Sequence, residues 1–385
     1  MRFALVAGEA SGDQLGAALM RSLRERDPSA RFFGVAGPKM QSEGCEAWAL
    51  SEELAVMGLF EVLSHLPRLA RLRADLRKRL RTERPDVFIG IDAPEFNLGL
   101  ARDLRGAGLR TVQYVSPQVW AWRQGRVRSI GAAVDLVLCL LPFEEQFYAR
   151  AGIRAEFVGH PLADLIPEDS DRGAARRQLG LQDRLTVAVL PGSRVGEASH
   201  LGDDFAGAIR WLRERRPSLQ FVAPMANQAV RLIFSRALER NAAGVEVRLL
   251  DGQSHVALAA ADVVLVASGT ATLETLLTRR PMVVAYRLGA LTAWLLRTFN
   301  LMKAPYFSQP NLLAGKRIVP ELFQEQVTPE TLGTELLREL DDPAVRERQE
   351  RVFGDIHRRL KRNASDRAAQ AILGLLSSAP AAGST

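Results

Sequence analysis

The sequence predicts two doubly wound α/β domains, and three observations carry that expectation. Short apolar runs alternate with longer amphipathic stretches, the pattern of buried parallel strands separated by helices. This pattern occurs twice, on either side of a break marked by Gly159, Pro161 and Pro167. The chain has 385 residues, more than the roughly 250–300 at which a single hydrophobic core stops growing.

In the first set, residues 3–7, 31–36, 86–91, 110–115 and 134–138 read as strands, which gives an N-terminal domain over 1–160. The break from 158 to 167 reads as the hinge. A charged helix over 171–179 then reopens the pattern. Residues 186–190, 219–223, 245–249, 262–267 and 281–286 read as strands of a second domain over 161–360. After Val319 only helical patterns follow. The helical tail after Thr328 is expected to pack back on the first domain, as the helix after about residue 360 would, or on another subunit, so a homodimer stands as one expectation. Residues 377–385 are small and polar enough for a disordered tail.

Composition narrows the class. Hydrophobic residues at 47% and charged residues at 25% are globular averages, which disfavours both a disordered and a membrane-spanning chain. No apolar run approaches the ~20 residues that cross a bilayer, and the first residues lead straight into a strand, so the expected location is the cytoplasm. Cys45 and Cys139 sit in apolar stretches without metal-ligand spacing and read as reduced core thiols. The formal net charge of +7 points to an anionic partner: nucleic acid, acidic lipid or a phosphorylated metabolite. Nucleic acid is disfavoured, because the interleaved aromatic and basic surface that base stacking needs is missing.

Ligands of doubly wound sheets bind beyond the carboxyl ends of the strands. The first such loop spaces Gly8, Gly12 and Gly16 by four rather than as G-x-G-x-x-G, and the second strand ends without an acidic residue to hold a ribose. Dinucleotide binding is therefore disfavoured, and the absence of G-x-x-x-x-G-K-[ST] removes the P-loop class. In the second half, Leu190-Pro-Gly-Ser-Arg194 presents the Ser193 hydroxyl and the Arg194 guanidinium. That Arg either forks onto a diphosphate or stands solvated in a strand-to-helix turn.

The stretch Ala267-Ser-Gly-Thr-Ala-Thr-Leu-Glu274 favours the diphosphate. There a strand ends at Ser268-Gly269 and a helix opens at Thr270, exposing N–H groups suited to phosphate. Glu274 shares a helix face with Thr270 and suits the two ribose hydroxyls. The competing reading, in which Ser268 or Thr270 only caps the helix, accounts for one loop and not for two. The expectation is a nucleoside diphosphate held without a cation, with no cofactor and no metal.

In the first half, Asp92 closes an apolar strand and is a candidate base for an acceptor hydroxyl. Asp92-Ala-Pro-Glu95 equally reads as a helix N-cap with a capping-box Glu and an early Pro, and position alone favours the cap. Glu9 lies outside the capping box read at Ser11-Gly-Asp-Gln14, which leaves its carboxylate for ligand. His160 is expected to satisfy loop carbonyls.

Read together, GEASGD from Gly8, GIDAPEFN from Gly90, YVSPQVWAWR from Tyr114, LPGSR from Leu190, ASGTATLE from Ala267 and PNLLAG from Pro310 resemble the lipid-A-disaccharide synthase family over nearly the whole chain. The resemblance implies a GT-B glycosyltransferase, with two Rossmann-like domains facing across a cleft. It implies an inverting transfer that joins UDP-2,3-diacylglucosamine to 2,3-diacylglucosamine 1-phosphate, giving a β-1,6-linked disaccharide 1-phosphate and UDP. It further implies Asp92 as general base, Arg194 with residues 268–270 at the diphosphate, Glu274 at the ribose, and Asn311 and Glu9 in the cleft. A UDP-sugar epimerase on the same fold is the alternative, and it needs no lipid acceptor.

Acylated substrates imply contact with a bilayer. Met57, Leu59, Phe60 and Leu63 form an apolar cluster ahead of a helix carrying Arg68, Arg71, Arg73, Arg77, Lys78, Arg79 and Arg81 against Asp75. Leu69, Leu72, Leu76 and Leu80 form that helix's stripe. It either lies in the anionic cytoplasmic face of the inner membrane, with Arg71, Arg77 and Arg79 toward the headgroups, or keeps its stripe in the core and its charges in water. A second candidate is the segment 288–302, where Leu291, Trp294, Leu295 and Phe299 share a helix.

Overall fold

A computed structural model describes residues 1–54, 59–122, 124–289 and 305–378. The chain forms two compact units, Met1–Asp164 with the C-terminal stretch from Leu360, and Leu165–Arg359.

The first unit runs β1 (Arg2–Ala7), α1 (Ala10–Arg26), β2 (Arg31–Ala36), α2 (Pro38–Ser42), β3 (Cys45–Leu50), α3 (Leu59–Glu83), β4 (Val87–Ile91), α4 (Pro94–Arg105), β5 (Arg110–Tyr114), α5 (Val119–Trp122), α6 (Val127–Ala133), β6 (Leu136–Cys139), α7 (Pro142–Ala149), β7 (Ala155–Phe157) and α8 (Pro161–Leu165). All strand pairings are parallel, in the order β3-β2-β1-β4-β5-β6-β7. Successive β1 residues alternate between two cores. Phe3, Leu5 and Ala7 meet α1 on one face, while Ala4 and Val6 meet α3, α4 and α6 on the other. Both faces are dry, which is why the strands read as continuous apolar runs.

The second unit repeats the scheme with α9 (Arg172–Gln178), β8 (Thr186–Leu190), α10 (Val195–Arg215), β9 (Gln220–Met225), α11 (Gln228–Asn241), β10 (Val247–Asp251), α12 (Ser254–Ala260), β11 (Val263–Ala267), α13 (Thr270–Leu277), β12 (Met282–Tyr286), α14 (Gln309–Ala314), β13 (Glu321–Phe323), α15 (Pro329–Asp341) and α16 (Pro343–Leu360). Its parallel sheet has the order β10-β9-β8-β11-β12-β13.

Three strands were not legible as apolar runs: β3, β7 and β13. Each lies at a sheet edge with partly exposed residues, so no continuous apolar run announces it. β13 corrects the expectation that only helices follow Val319. The last helix, α17 (Ala364–Ser377), sets Ala368, Ala369, Ile372 and Leu375 into the first unit's core beside α1. Ser377 and Ser378 therefore belong to the helix and its end rather than to a tail. Residues 379–385 lie outside the described residues.

The stripe of α3 faces inward. Leu76 and Leu80 are buried, and Leu69 and Leu72 pack partly against the same core. Fully burying a leucine is worth roughly 1.5–3 kcal/mol, so the stripe stays with the protein. This corrects the part of the interface reading in which the stripe enters a bilayer, and leaves only the helix's charges for a membrane surface. Arg77 pairs with Asp103 at 3.2 Å, and Arg79 pairs with Glu46 at 2.9 Å while lying over the Trp48 ring. Arg71 is exposed. Met57 and residues 290–304, with Leu291, Trp294, Leu295 and Phe299, lie outside the described residues, as do the side chains of Leu59, Phe60 and Leu63. Among the described residues no helix is long and apolar enough to cross a membrane.

Candidate active site

Both strand orders reverse direction once, between β1 and β4 in the first unit and between β8 and β11 in the second. At such switch points the loops beyond the carboxyl ends diverge and leave a crevice. In the second unit this crevice is a cavity of about 310 Å³ whose lining includes Ser193, Arg194, Ser268, Gly269, Thr270 and Glu274.

The turns that build it depend on glycine. Gly192 (φ 119°) and Gly269 (φ 152°) hold backbone that L side chains rarely adopt. α13 then starts at Thr270 with no side chain capping it, which leaves first-turn N–H groups and the positive end of the helix dipole open to an anion. Arg194 stands 73% exposed, only 3.8 Å from Glu197. An exposed pair of this kind is worth about 0–1 kcal/mol, so the guanidinium is available to a ligand. The Ser268 hydroxyl donates to the Phe307 carbonyl at 2.9 Å, so it braces the loop. Burial holds the Glu274 carboxyl above its usual range, and neighbouring His255 opposes the shift.

In the first unit, Asp92 follows β4 in the left-handed region (φ 53°), and so does Ala93 (φ 40°). Each such non-glycine residue costs on the order of 1–3 kcal/mol, and strain of this size collects at functional turns. The N-cap of α4 is Ala93, without a side-chain capping bond, and Glu95 forks onto Arg126 instead. The helix-cap reading of Asp92 is thereby corrected. Its half-buried carboxyl is raised above the ordinary aspartate value by desolvation, which the Ala93 N–H partly opposes. That is the direction a general base near neutral pH requires.

The first loop also departs from expectation. α1 starts at Ala10, so Ser11 lies inside the helix. Glu9 holds the N-cap position with no side-chain capping bond and is exposed. Asp13 is buried and accepts from the N–H groups of Gly37, Lys39 and Met40, tying α1 to α2. His160 accepts from the Leu162 N–H, and burial lowers its pKa to about 4.

Comparison with known proteins decides the family. A family profile described as lipid-A-disaccharide synthetase matches residues 3–373. The lipid-A-disaccharide synthase of Alkalilimnicola ehrlichii is 52% identical over 376 residues, covering 97% of this chain and 98% of that protein. That of Pseudomonas entomophila is 53% identical over 373 residues, with the same coverage. The chain belongs to the lipid-A-disaccharide synthase family.

Members of this family are glycosyltransferases of lipid A biosynthesis, and the GT-B fold agrees with solved structures. A UDP-GlcNAc 2-epimerase from Neisseria meningitidis, bound to UDP-GlcNAc, superposes with a TM-score of 0.65 at 12% identity, covering 97% of this chain and all of that one. A glycosyltransferase of kitacinnamycin superposes at 0.64 with 18% identity, covering 97% and 98%. At such identities the likeness is one of fold. The relatives above 50% identity favour transfer over the epimerase alternative.

Several residues that line the cavity escaped the sequence reading. Glu197 lines the cavity and accepts from the N–H groups of Ser193 (2.9 Å) and Arg194 (3.3 Å). Ser254, at the start of α12, and Met225, at the end of β9, also line it. Gly252, at positive φ just after β10, was the available signal for that loop. Asn311 does not line the cavity. It is fully buried, accepting from Ile318 and Val319 N–H groups and donating to the Val319 carbonyl, so it shapes the chain entering β13. Among the described residues, no group of three or more His, Cys, Asp or Glu side chains is placed to hold a metal ion.

Proposed function

We propose that the chain condenses UDP-2,3-diacylglucosamine with 2,3-diacylglucosamine 1-phosphate, giving the β-1,6-linked tetraacyl disaccharide 1-phosphate and UDP. The observation that carries this reading is the second unit's cavity, where an uncapped helix start, an exposed Arg and a carboxylate one turn inside the helix line one space. That donor set matches the diphosphate and ribose of UDP.

In this reading Asp92 takes the proton of the acceptor 6-hydroxyl as its oxygen attacks the anomeric carbon. The bond to the UDP oxygen breaks, and the negative charge that develops there falls to Arg194 and the α13 N–H groups, which act in place of a cation. Each such group is worth roughly 2–4 kcal/mol of barrier. Inversion places attack and departure on opposite faces of the sugar, so the base and the diphosphate clamp must act from opposite sides.

The test is incubation of purified protein with both substrates in buffer containing EDTA, with mass detection of the disaccharide and UDP. Product is expected without added metal. No product at any acyl length would remove the reading, and product only with added Mg²⁺ would remove the cation-free clamp.

The acyl chains further require access to a bilayer. Peripheral association through the exposed charges of α3 fits an anionic surface, because its ion pairs are exposed and weak. In vesicle sedimentation, an Arg71/Arg77/Arg79→Glu variant is expected to lose partition to anionic vesicles. Equal partition of both proteins would end this proposal.

A further inference from the structure

We infer that Asn97 and Gln113 are positioning residues, two buried amides that converge on the Asp92 carbonyl and set the turn from which the Asp92 carboxylate works. Neither side chain has any exposed surface. Asn97 Nδ2 donates to the Asp92 carbonyl at 2.9 Å, and Gln113 Nε2 donates to the same oxygen at 3.0 Å. Asn97 also reaches the Val6 and Ile91 carbonyls, at 3.2 and 3.4 Å. Gln113 also reaches those of Val115 and Tyr114, at 3.3 and 3.4 Å. Two side chains thus gather the ends of β1, β4 and β5 around one carbonyl.

Three features argue against simple space-filling. The turn they grip carries consecutive left-handed residues, Asp92 and Ala93, and the neighbouring strand end carries Val115 at φ 76°. A β-branched residue there is a genuine outlier that only its surroundings can hold. Secondly, Gly90 has no side chain where the amides lie: a Cβ would stand 2.7 Å from Asn97 Cβ and 3.1 Å from Gln113 Oε1. Thirdly, Asn97 Oδ1 and Gln113 Oε1 are buried with no hydrogen-bond partner. An apolar side chain of similar volume would fill this space without leaving two oxygens unsatisfied. The donors are what the site gains in return.

The inference rests on Asp92 as the base, and its test separates the two claims. Asn97→Leu and Gln113→Met keep volume and remove the donors. Each is expected to lower kcat by roughly 10–100-fold, the scale of a misplaced catalytic group, with KM for the UDP-sugar and UDP affinity unchanged. The acid limb of the kcat/KM profile should also move to lower pH. A relaxed turn admits water to Asp92 and removes the desolvation that raises it, and no charged neighbour contributes to that shift.

A folded variant with native kcat, or with reduced kcat and an unmoved acid limb, overturns the positioning role. Should both variants fail to fold, Gly90→Ala pushes one methyl against the same amides and is read by the same two measurements. The base reading fails separately if Asp92→Asn retains the native rate in the otherwise unaltered protein.

Discussion

The two units share one strand scheme and place chemistry-bearing residues at the same switch points, yet their turns differ. Just beyond β8 and β11 of the second unit the positive-φ residues are Gly192 and Gly269; just beyond β4 and β5 of the first they are Asp92, Ala93 and Val115. Glycine turns leave N–H groups without a side chain in the way, which suits capture of an anion. At the Asp92 turn the side chain is a carboxylate, and two buried amides donate to the turn's carbonyl. In the proposed reading one unit receives charge and the other presents a single functional group.

Asp92→Asn breaks this contrast most sharply. Loss of a general base is worth roughly 10²–10⁴ in rate, so kcat should fall by about 10³ while UDP affinity, which the proposal assigns to the other unit, stays native. A parallel loss of UDP binding in calorimetry would mean that the two units do not divide the work in this way. Arg194→Ala should do less, lowering kcat by about 10² and weakening UDP binding, because the α13 N–H groups remain. An unchanged rate and an unchanged UDP affinity would assign the diphosphate to other donors.

The same contrast explains what was legible from residues alone. Ser193, Arg194, Gly269 and Thr270 stood out because two phosphate-suited loops follow apolar strands, although each loop alone also reads as a plain turn or cap; the structure brings all four to one cavity. Asp92 did not stand out, since Asp-Ala-Pro-Glu is also a capping string, and the shift of the N-cap to Ala93 depends on a left-handed turn that spacing does not encode. Glu197 looked like any first-turn Glu. Asn311 drew attention through its motif, but the chain entering β13 needs its amide in the core. Central strands were visible because both faces are dry, whereas β3, β7 and β13 are edge strands with half-wet faces.

The smallest expected effect concerns stability, and here the units resemble each other. Glu144 in the first is 3% exposed, accepting from Leu141 N–H (3.0 Å) and Trp120 Nε1 (3.1 Å). Glu339 in the second is 1% exposed, with Gln349 Nε2 donating to both of its oxygens, at 2.9 and 3.0 Å. Burial raises each carboxyl from 4.5 to about 7. A raised carboxyl binds its proton more tightly when folded, so its favourable contribution is complete below pH 4.5 and is lost as pH rises through about 7. The loss is on the order of 3 kcal/mol for each group. Glu144→Gln and Glu339→Gln cannot titrate, so in urea unfolding each variant should gain on the native protein between pH 5 and 8. The gain should fall on the first unit for Glu144 and on the second for Glu339. A stability difference independent of pH would show that these carboxyls are ionised in the folded protein, with their hydrogen bonds outweighing their burial.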